Sequence, residues 1–286
     1  VMPLRKLNRL IALDVLKNFD INKNIAIKEL FNLNKKKNKL NIDDLGYIIG
    51  PILNAGGRLG KSNYASELLS SDNSKIVNIR SVNLIELNNK RKEIETLILN
   101  EIDFQKIEKE NKDIIIYYNP SINEGLIGII AARLKDYFNK PSIIITSSGD
   151  KLKGSARSIY KYNIGRVIKK AYDLDIIIGG GGHNMAAGFT LKKDNLTKFE
   201  NFIIDDFSNS NISNLQIYKY DEEISSIAFN KDFFNDIKKI EPFGTGNPLP
   251  IFLFKDLKIV KTSVLNNKHI SAIFKSKIGF SIKSVS

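Results

Sequence analysis

Apolar residues in the first seventy positions recur at helical spacing. Leu7, Leu10, Ile11 and Leu16 mark one face, and Ile27, Leu30 and Phe31 mark another. Asp43 stands where an N-cap would open a third helix running to Ile48. Lys35, Lys36, Lys37 and Lys39 form a basic loop before it, on the plainest reading a solvated turn. Residues 73–110 then contain neither proline nor glycine. Leu84, Leu87, Ile94, Leu97, Ile98 and Ile102 fall near one helical face, with Lys90, Lys92 and Glu93 elsewhere. This predicts one long helix, a strut joining two domains. A coiled coil is the weaker reading, because the heptad breaks at Arg91.

The pattern then changes period. Short β-rich runs at 114–118, 142–146 and 151–157 alternate with helical patterns at 125–138 and 164–172. A fourth strand at 175–178 would run into a glycine cluster, and a helix at 195–207 would close the segment. Alternation of this kind predicts a compact α/β domain. After residue 208 the candidate strands lie at 215–220, 251–254, 258–262, 269–274 and 280–285, interrupted by a helix at 232–240. Many short strands predict a small barrel or sandwich.

Composition narrows the class. With 42% hydrophobic and 26% charged residues in 286, the chain is an ordinary globular one. No apolar run reaches the ~18 residues of a membrane span, and the opening VMPLRKLNRL lacks the apolar core of a signal peptide. The absence of cysteine excludes disulfides, thiolate zinc sites and a catalytic thiol, so a cytoplasmic location is expected. Lys+Arg 44 against Asp+Glu 31 leaves 44 − 31 = +13, which favours a polyanionic partner such as nucleic acid. The chain is also rich in Lys, Asn and Ile, so part of that charge serves only to solubilise its surface.

Four constellations could carry chemistry. Residues 55–62, AGGRLGKS, mimic a phosphate loop, but the residues before them read as helix rather than as the buried strand such a loop requires. The second is the run Gly179-Gly180-Gly181-Gly182-His183-Asn184-Met185-Ala186-Ala187-Gly188. A strand running into four glycines would expose bare backbone amides as an anion-binding nest, with a helix start behind it adding positive potential. His183, one of 2 histidines, follows directly; the alternative is a strand–helix turn with a surface histidine. Third, Ser155 and Arg157 sit two apart on a predicted strand and so share a face. A hydroxyl beside a guanidinium fork suits a terminal phosphate. Fourth, Gly125, Gly128 and Ala132 lie near one face of the helix at 125–138, where core packing is the simpler reading.

These segments occur in an order that resembles the RecJ family of DHH phosphoesterases. GPILNAGGRLG at 50–60 is similar to the family's GPRLNAAGRLG, and NEGLIGIIAARL at 123–134 to its WHEGVIGIVAxRL. KGSARS at 153–158 matches directly, GGHNMAAG at 181–188 matches GGHxxAAG, and PFGTGNP at 242–248 matches PFGxGNP. The resemblance covers essentially the whole chain, and it absorbs the phosphate-loop mimic into a family motif.

The resemblance implies an α/β fold in parts. These are a helical remnant of the DHH domain at 1–72, an interdomain helix at 73–112, a DHH-associated α/β domain at 113–209, and an incomplete OB-like partial β-barrel at 210–286. Such proteins degrade single-stranded DNA from the 5′ end with Mn2+ or Mg2+ held by aspartates and histidines of the DHH domain. Those ligand motifs are absent from this sequence, so the chain alone is expected to be inactive, its catalytic half supplied upstream or by a separate chain. The runner-up is an inactive DNA-binding remnant of a decaying gene. By motif, Ser155 and Arg157 would hold the 5′ phosphate, and His183 with Gly181 and Gly182 would sit at the scissile region. Arg58 and Asn54 would line the cleft. Two departures matter: Ile52 replaces an arginine, and Asn123 replaces a histidine that could titrate.

Overall fold

Helices form where apolar residues recur at helical spacing, and several also begin at a capping side chain. The computed structural model describes residues 3–36, 40–210, 212, 219–265 and 269–285. Helix α1 spans Lys6–Asn18, α2 Ile25–Leu33, α3 Gly50–Arg58, α4 Asn63–Ser70, α5 Ser74–Glu101 and α6 Phe104–Glu110. Asn24, Asn73 and Asp103 cap α2, α5 and α6 with side-chain oxygens that accept from backbone N–H groups. Asp43 makes no such bond: residues 44–49 wind as a π-helix straight into α3. The expected cap is corrected accordingly. AGGRLGKS forms the end of α3 and the turn after it, with no strand before it.

The long helical pattern divides at Ile102 and Asp103, because the Asp103 side chain accepts from Lys106 N at 2.9 Å and starts a new helix. Within α5 the inward positions run Val77, Ser81, Leu84, Asn88, Arg91, Glu95 and Ile98, alternating steps of four and three. The seam therefore continues through Arg91 instead of breaking there. Polar side chains occupy its middle, and Arg91 is accommodated because Glu95 Oε2 accepts from its Nη1 at 2.7 Å.

Two compact units emerge: Val1–Asp20, Leu40–Ile42 and Gln216–Ser286 form one, and Ile21–Lys39 with Asp43–Leu215 the other. In the larger unit α2, α3 and α4 pack on the first half of α5, and α7 (Ile127–Phe138) on its second half. A five-stranded sheet follows, made of β1 (Ile115–Tyr118), β2 (Ser142–Ser148), β3 (Lys151–Arg157), β4 (Gly179–His183) and β5 (Ala186–Lys192), in the order β1-β2-β3-β5-β4. Only β1 and β2 pair in parallel. On one face Ile143, Ile145, Leu152, Ala156, Phe189 and Leu191 bury against α8 (Ile164–Asp173) and α9 (Leu196–Ser208). On the other face Ile115 and Ile144 bury against α7, which covers β2 and β3.

The glycine run departs from expectation. Residues 175–178 are turn and bend, and the glycines themselves are the strand β4. Asn184 and Met185 turn the chain into β5, so the motif is a β-hairpin with no helix after it. The physical reason is steric. A Cβ on Gly182 would lie 2.2 Å from Ala186 O, and one on Gly180 would lie 2.8 Å from Phe189 Cβ and 2.9 Å from Ile168 Cγ2. Only bare backbone lets α8 and β5 approach this closely.

In the smaller unit α10 (Lys231–Lys238) is followed by an antiparallel sheet of β8 (Leu257–Leu265), β9 (His269–Ser276) and β10 (Ser281–Val285). β6 (Glu222–Glu223) and β7 (Phe252–Leu253) pair separately in parallel, and among the described residues the sheets do not close into a barrel. The fold is a partial OB architecture. The strand expected at 215–220 lies mostly outside the described residues, as do Lys37 and Lys39. PFGTGNP is a clasp: Thr245 O accepts from Leu4 N at 2.6 Å and Gly246 O from Arg5 Nε at 3.0 Å. No helix among the described residues is long and apolar enough to cross a membrane.

Candidate nucleic-acid interface

Because α7 stops at β3, the far end of the larger sheet is bare on that side. Strand register decides which residues occupy it. Arg157 pairs with Ala186, which pairs with His183; Ser155 pairs with Gly188, which pairs with Gly181; Lys153 pairs with Thr190, which pairs with Gly179. Directly opposed residues share a face, so these three rows form one surface. Arg157 and His183 are two strands apart, about 10 Å. Gly181 and Gly188 are exposed, and a Cβ on Gly181 would meet nothing within 4 Å. The result is a floor of small side chains and accessible backbone, bordered by a guanidinium, a hydroxyl and an imidazole.

Arg157 is held in place. Its Nη1 donates to Ser155 Oγ at 3.1 Å and to Ala156 O at 2.8 Å. Gly128 on α7 makes room for the fork, since a Cβ there would lie 2.9 Å from Arg157 Nη2 and 3.1 Å from Ser155 Oγ. The glycine face of α7 therefore admits the arginine, where core packing was the simpler expectation. Among the described residues no carboxylate pairs with Arg157, whereas Lys153 is tied to Glu124 at 2.7 Å. Burial holds the Arg157 guanidinium below the ordinary arginine value, and the charge of Arg58 lowers it further. Both effects express one fact: a cation held away from water without a counterion attracts an anion.

Arg58 approaches from α3. Its Nη1 donates to Gly125 O at 3.0 Å, and a Cβ on Gly125 would lie 2.3 Å from Arg58 O. Burial lowers its pKa first, then the charge of Arg91, with Glu95 opposing. Asn54 is exposed on the same helix, and both line a cleft of ≈ 420 Å³ with Arg91, Lys92 and Arg133. His183 is exposed, and its Nδ1 accepts from Met185 N at 3.3 Å. The two departures have local structural roles: Ile52 is buried, and Asn123 Oδ1 accepts from Gly125 N at 2.8 Å at the entry to α7.

Thus the sheet gathers Ser155, Arg157, Gly181 and His183 on one face, with Arg58 and Asn54 beside α7. Gly182 differs in that a Cβ on it would meet the packed face, while its backbone, like that of Gly181, is exposed on the edge strand β4. Arg91 and Glu95 lie outside the motifs, and Arg133, inside NEGLIGIIAARL, has no role assigned by the motif alone. Arg91 interrupted an apolar stripe, and that was the available signal: a charge on a buried seam needs a partner.

Residues 111–209 match the model of the DHHA1 domain, and residues 220–285 that of the RecJ OB domain. The chain is RecJ-like. It is 30% identical over 269 residues to the single-stranded-DNA-specific exonuclease RecJ of Haemophilus influenzae, covering 89% of this chain and 46% of that protein. With the Bacillus subtilis protein of the same description it shares 29% over 293 residues, 97% of this chain and 36% of the other. Thermus thermophilus RecJ, solved in complex with Mn2+, superposes with a TM-score of 0.82 at 21% identity, over 99% of this chain and 42% of that one. The RecJ-like chain therefore spans less than half the length of these relatives. A divalent ion does not fit the residues gathered here. They are guanidinium, hydroxyl and backbone groups, and no three His, Cys, Asp or Glu side chains converge among the described residues.

Proposed function

We propose that this chain is the substrate-gripping portion of a 5′-to-3′ single-stranded-DNA exonuclease, acting in the cytoplasm. The observation that carries the reading is the bare sheet face, on which Arg157, Ser155, Gly181 and His183 fall in register beside an uncovered floor. Arg157 and Ser155 hold the 5′ phosphate through charge-assisted hydrogen bonds, and the strand's backbone crosses the small residues of β4 and β5. His183 stands where the next phosphate passes and offers Nε2–H, its Nδ1 being engaged with Met185. Arg58 and Asn54 receive the strand as it leaves the sheet. Hydrolysis of the phosphodiester bond uses Mn2+ or Mg2+ held by other residues than these; the residues described here orient the strand. The +13 charge and the RecJ-like OB region fit a single-stranded polyanion.

The test compares 5′-phosphorylated with 5′-hydroxyl single strands. Wild type should prefer the phosphorylated end, and Arg157→Ala should remove roughly 1.5–3 kcal/mol from that end alone, the value of hydrogen bonds to a charged group. Equal losses for both ends would refute the assignment.

A further inference from the structure

The cleft between α3, α5 and α7 contains more cation than a passing strand terminus explains. Arg58, Arg91, Lys92 and Arg133 line it, four positive charges, and Glu95 is the acid among them. Glu95 is buried, with both oxygens occupied: Oε1 accepts from Arg133 Nε at 2.6 Å and Oε2 from Arg91 Nη1 at 2.7 Å. Arg91 Nε also donates to Asn88 Oδ1 at 3.2 Å. One carboxylate thus fixes two guanidinium planes. Arg133 retains both terminal amino groups without a protein partner among the described residues, and Arg91 retains Nη2. With a guanidinium on each oxygen, the carboxylate of Glu95 fixes how both arginines present their remaining donors.

The rim of the cleft specifies the ligand further. Tyr47 is 81% exposed on the π-helical turn, and beside it a Cβ on Gly46 would meet nothing within 4 Å. An aromatic ring standing in solvent over a cationic cleft is the arrangement that takes a nucleobase and its phosphate together. The cleft's ≈ 420 Å³ lies in the range of small-ligand sites, about 300–1,000 Å³. It neighbours the sheet face across the start of α7, where Gly125, just before the helix, abuts Arg58 and Gly128 abuts Arg157.

We propose that this cleft is an internal nucleotide subsite, in which Tyr47 stacks one base of a single strand and Arg133, Arg91 and Lys92 hold the adjacent phosphate. Glu95 is its positioning residue. The proposal rests on the reading of the sheet face as the seat of the strand's 5′ end, and it adds a contact to an internal nucleotide.

The experiment walks a single abasic residue along a 5′-phosphorylated oligonucleotide and measures binding to the whole chain by fluorescence anisotropy. For wild type, one internal abasic position should weaken binding roughly tenfold. Tyr47→Ala should lose the same factor on the intact strand and nothing more on that abasic strand, while Tyr47→Phe should behave as wild type. Arg133→Ala should lower the slope of log affinity against log salt by roughly 0.7, one phosphate's worth. A neutral methylphosphonate beside the sensitive base should abolish the difference between Arg133→Ala and wild type. If no abasic position matters, or if the Tyr47→Ala loss multiplies with every abasic position, the subsite is refuted. If wild type prefers 5′-phosphorylated ends while the Tyr47 and Arg133 variants bind like wild type, the subsite falls and the terminal grip stands. If wild type shows no such preference, the grip falls and the subsite with it. Should inorganic phosphate compete but no oligonucleotide modification register, the cleft is an anion site only and the base contact is overturned.

Discussion

Adjacent glycines in β4 should respond oppositely to the same substitution. A methyl group at Gly182 would sit 2.2 Å from Ala186 O, 2.5 Å from Ala187 Cα and 2.7 Å from its Cβ, whereas one at Gly181 would meet nothing within 4 Å. Two of the three obstacles at Gly182 are backbone atoms of the paired strand, which can yield only by opening the ladder. Overpacking of this kind costs about 1–3 kcal/mol. Gly181→Ala meets no such obstacle and restricts the unfolded chain, a gain of about 0.4–1 kcal/mol. The two variants should therefore differ by about 2 kcal/mol or more. In a unit of this size that corresponds to roughly 4–8 °C in melting temperature. Circular dichroism melts and urea titrations on both proteins measure it. The same pair separates stability from function: Gly181→Ala should fold normally yet bind single strands more weakly, since its methyl group rises from the uncovered floor. Equal destabilisation by the two substitutions would show that residues 179–183 are a loop whose amides point freely, and the register argument would fail with it.

Two further outcomes follow from buried groups. Glu95→Ala leaves Arg91 buried beside Arg58 without its counter-charge and should cost about 3–5 kcal/mol in urea denaturation; a cost below about 1 kcal/mol would mean the pair is solvated. Burial first, then the charge of Asp206, holds the Tyr162 phenol above its ordinary value. Because the folded pKa is the higher one, its contribution is complete below pH ~10 and lost as pH rises beyond that. Alkaline titration of unfolding should therefore show Tyr162→Phe as less pH-sensitive than wild type; identical curves would exclude this group.

Elements with a side-chain period were legible in advance. β3 alternates exposed and buried residues as read, so Ser155 and Arg157 share a face. The helices at 127–138, 164–173 and 196–208 carry apolar stripes that identified them within a few residues. Asp103 carries no helical period, so the apolar pattern runs through it unbroken; its capping role depends on which N–H it reaches. The glycine run is ambiguous for a related reason: four residues without side chains have no hydrophobic period, and nest and strand look alike until a partner strand is known.

Local sequence by itself determined the helices, the two-faced strand β3, the excess of cation and the motif order that identified a RecJ-like chain, because each is written in neighbouring side chains. Tertiary structure alone decided that β5 joins β3 to β4, placing His183 two strands from Arg157, and that Glu95 meets Arg133 across 38 residues of chain. Such pairings depend on which backbones can approach one another, and that is a property of packing between distant segments.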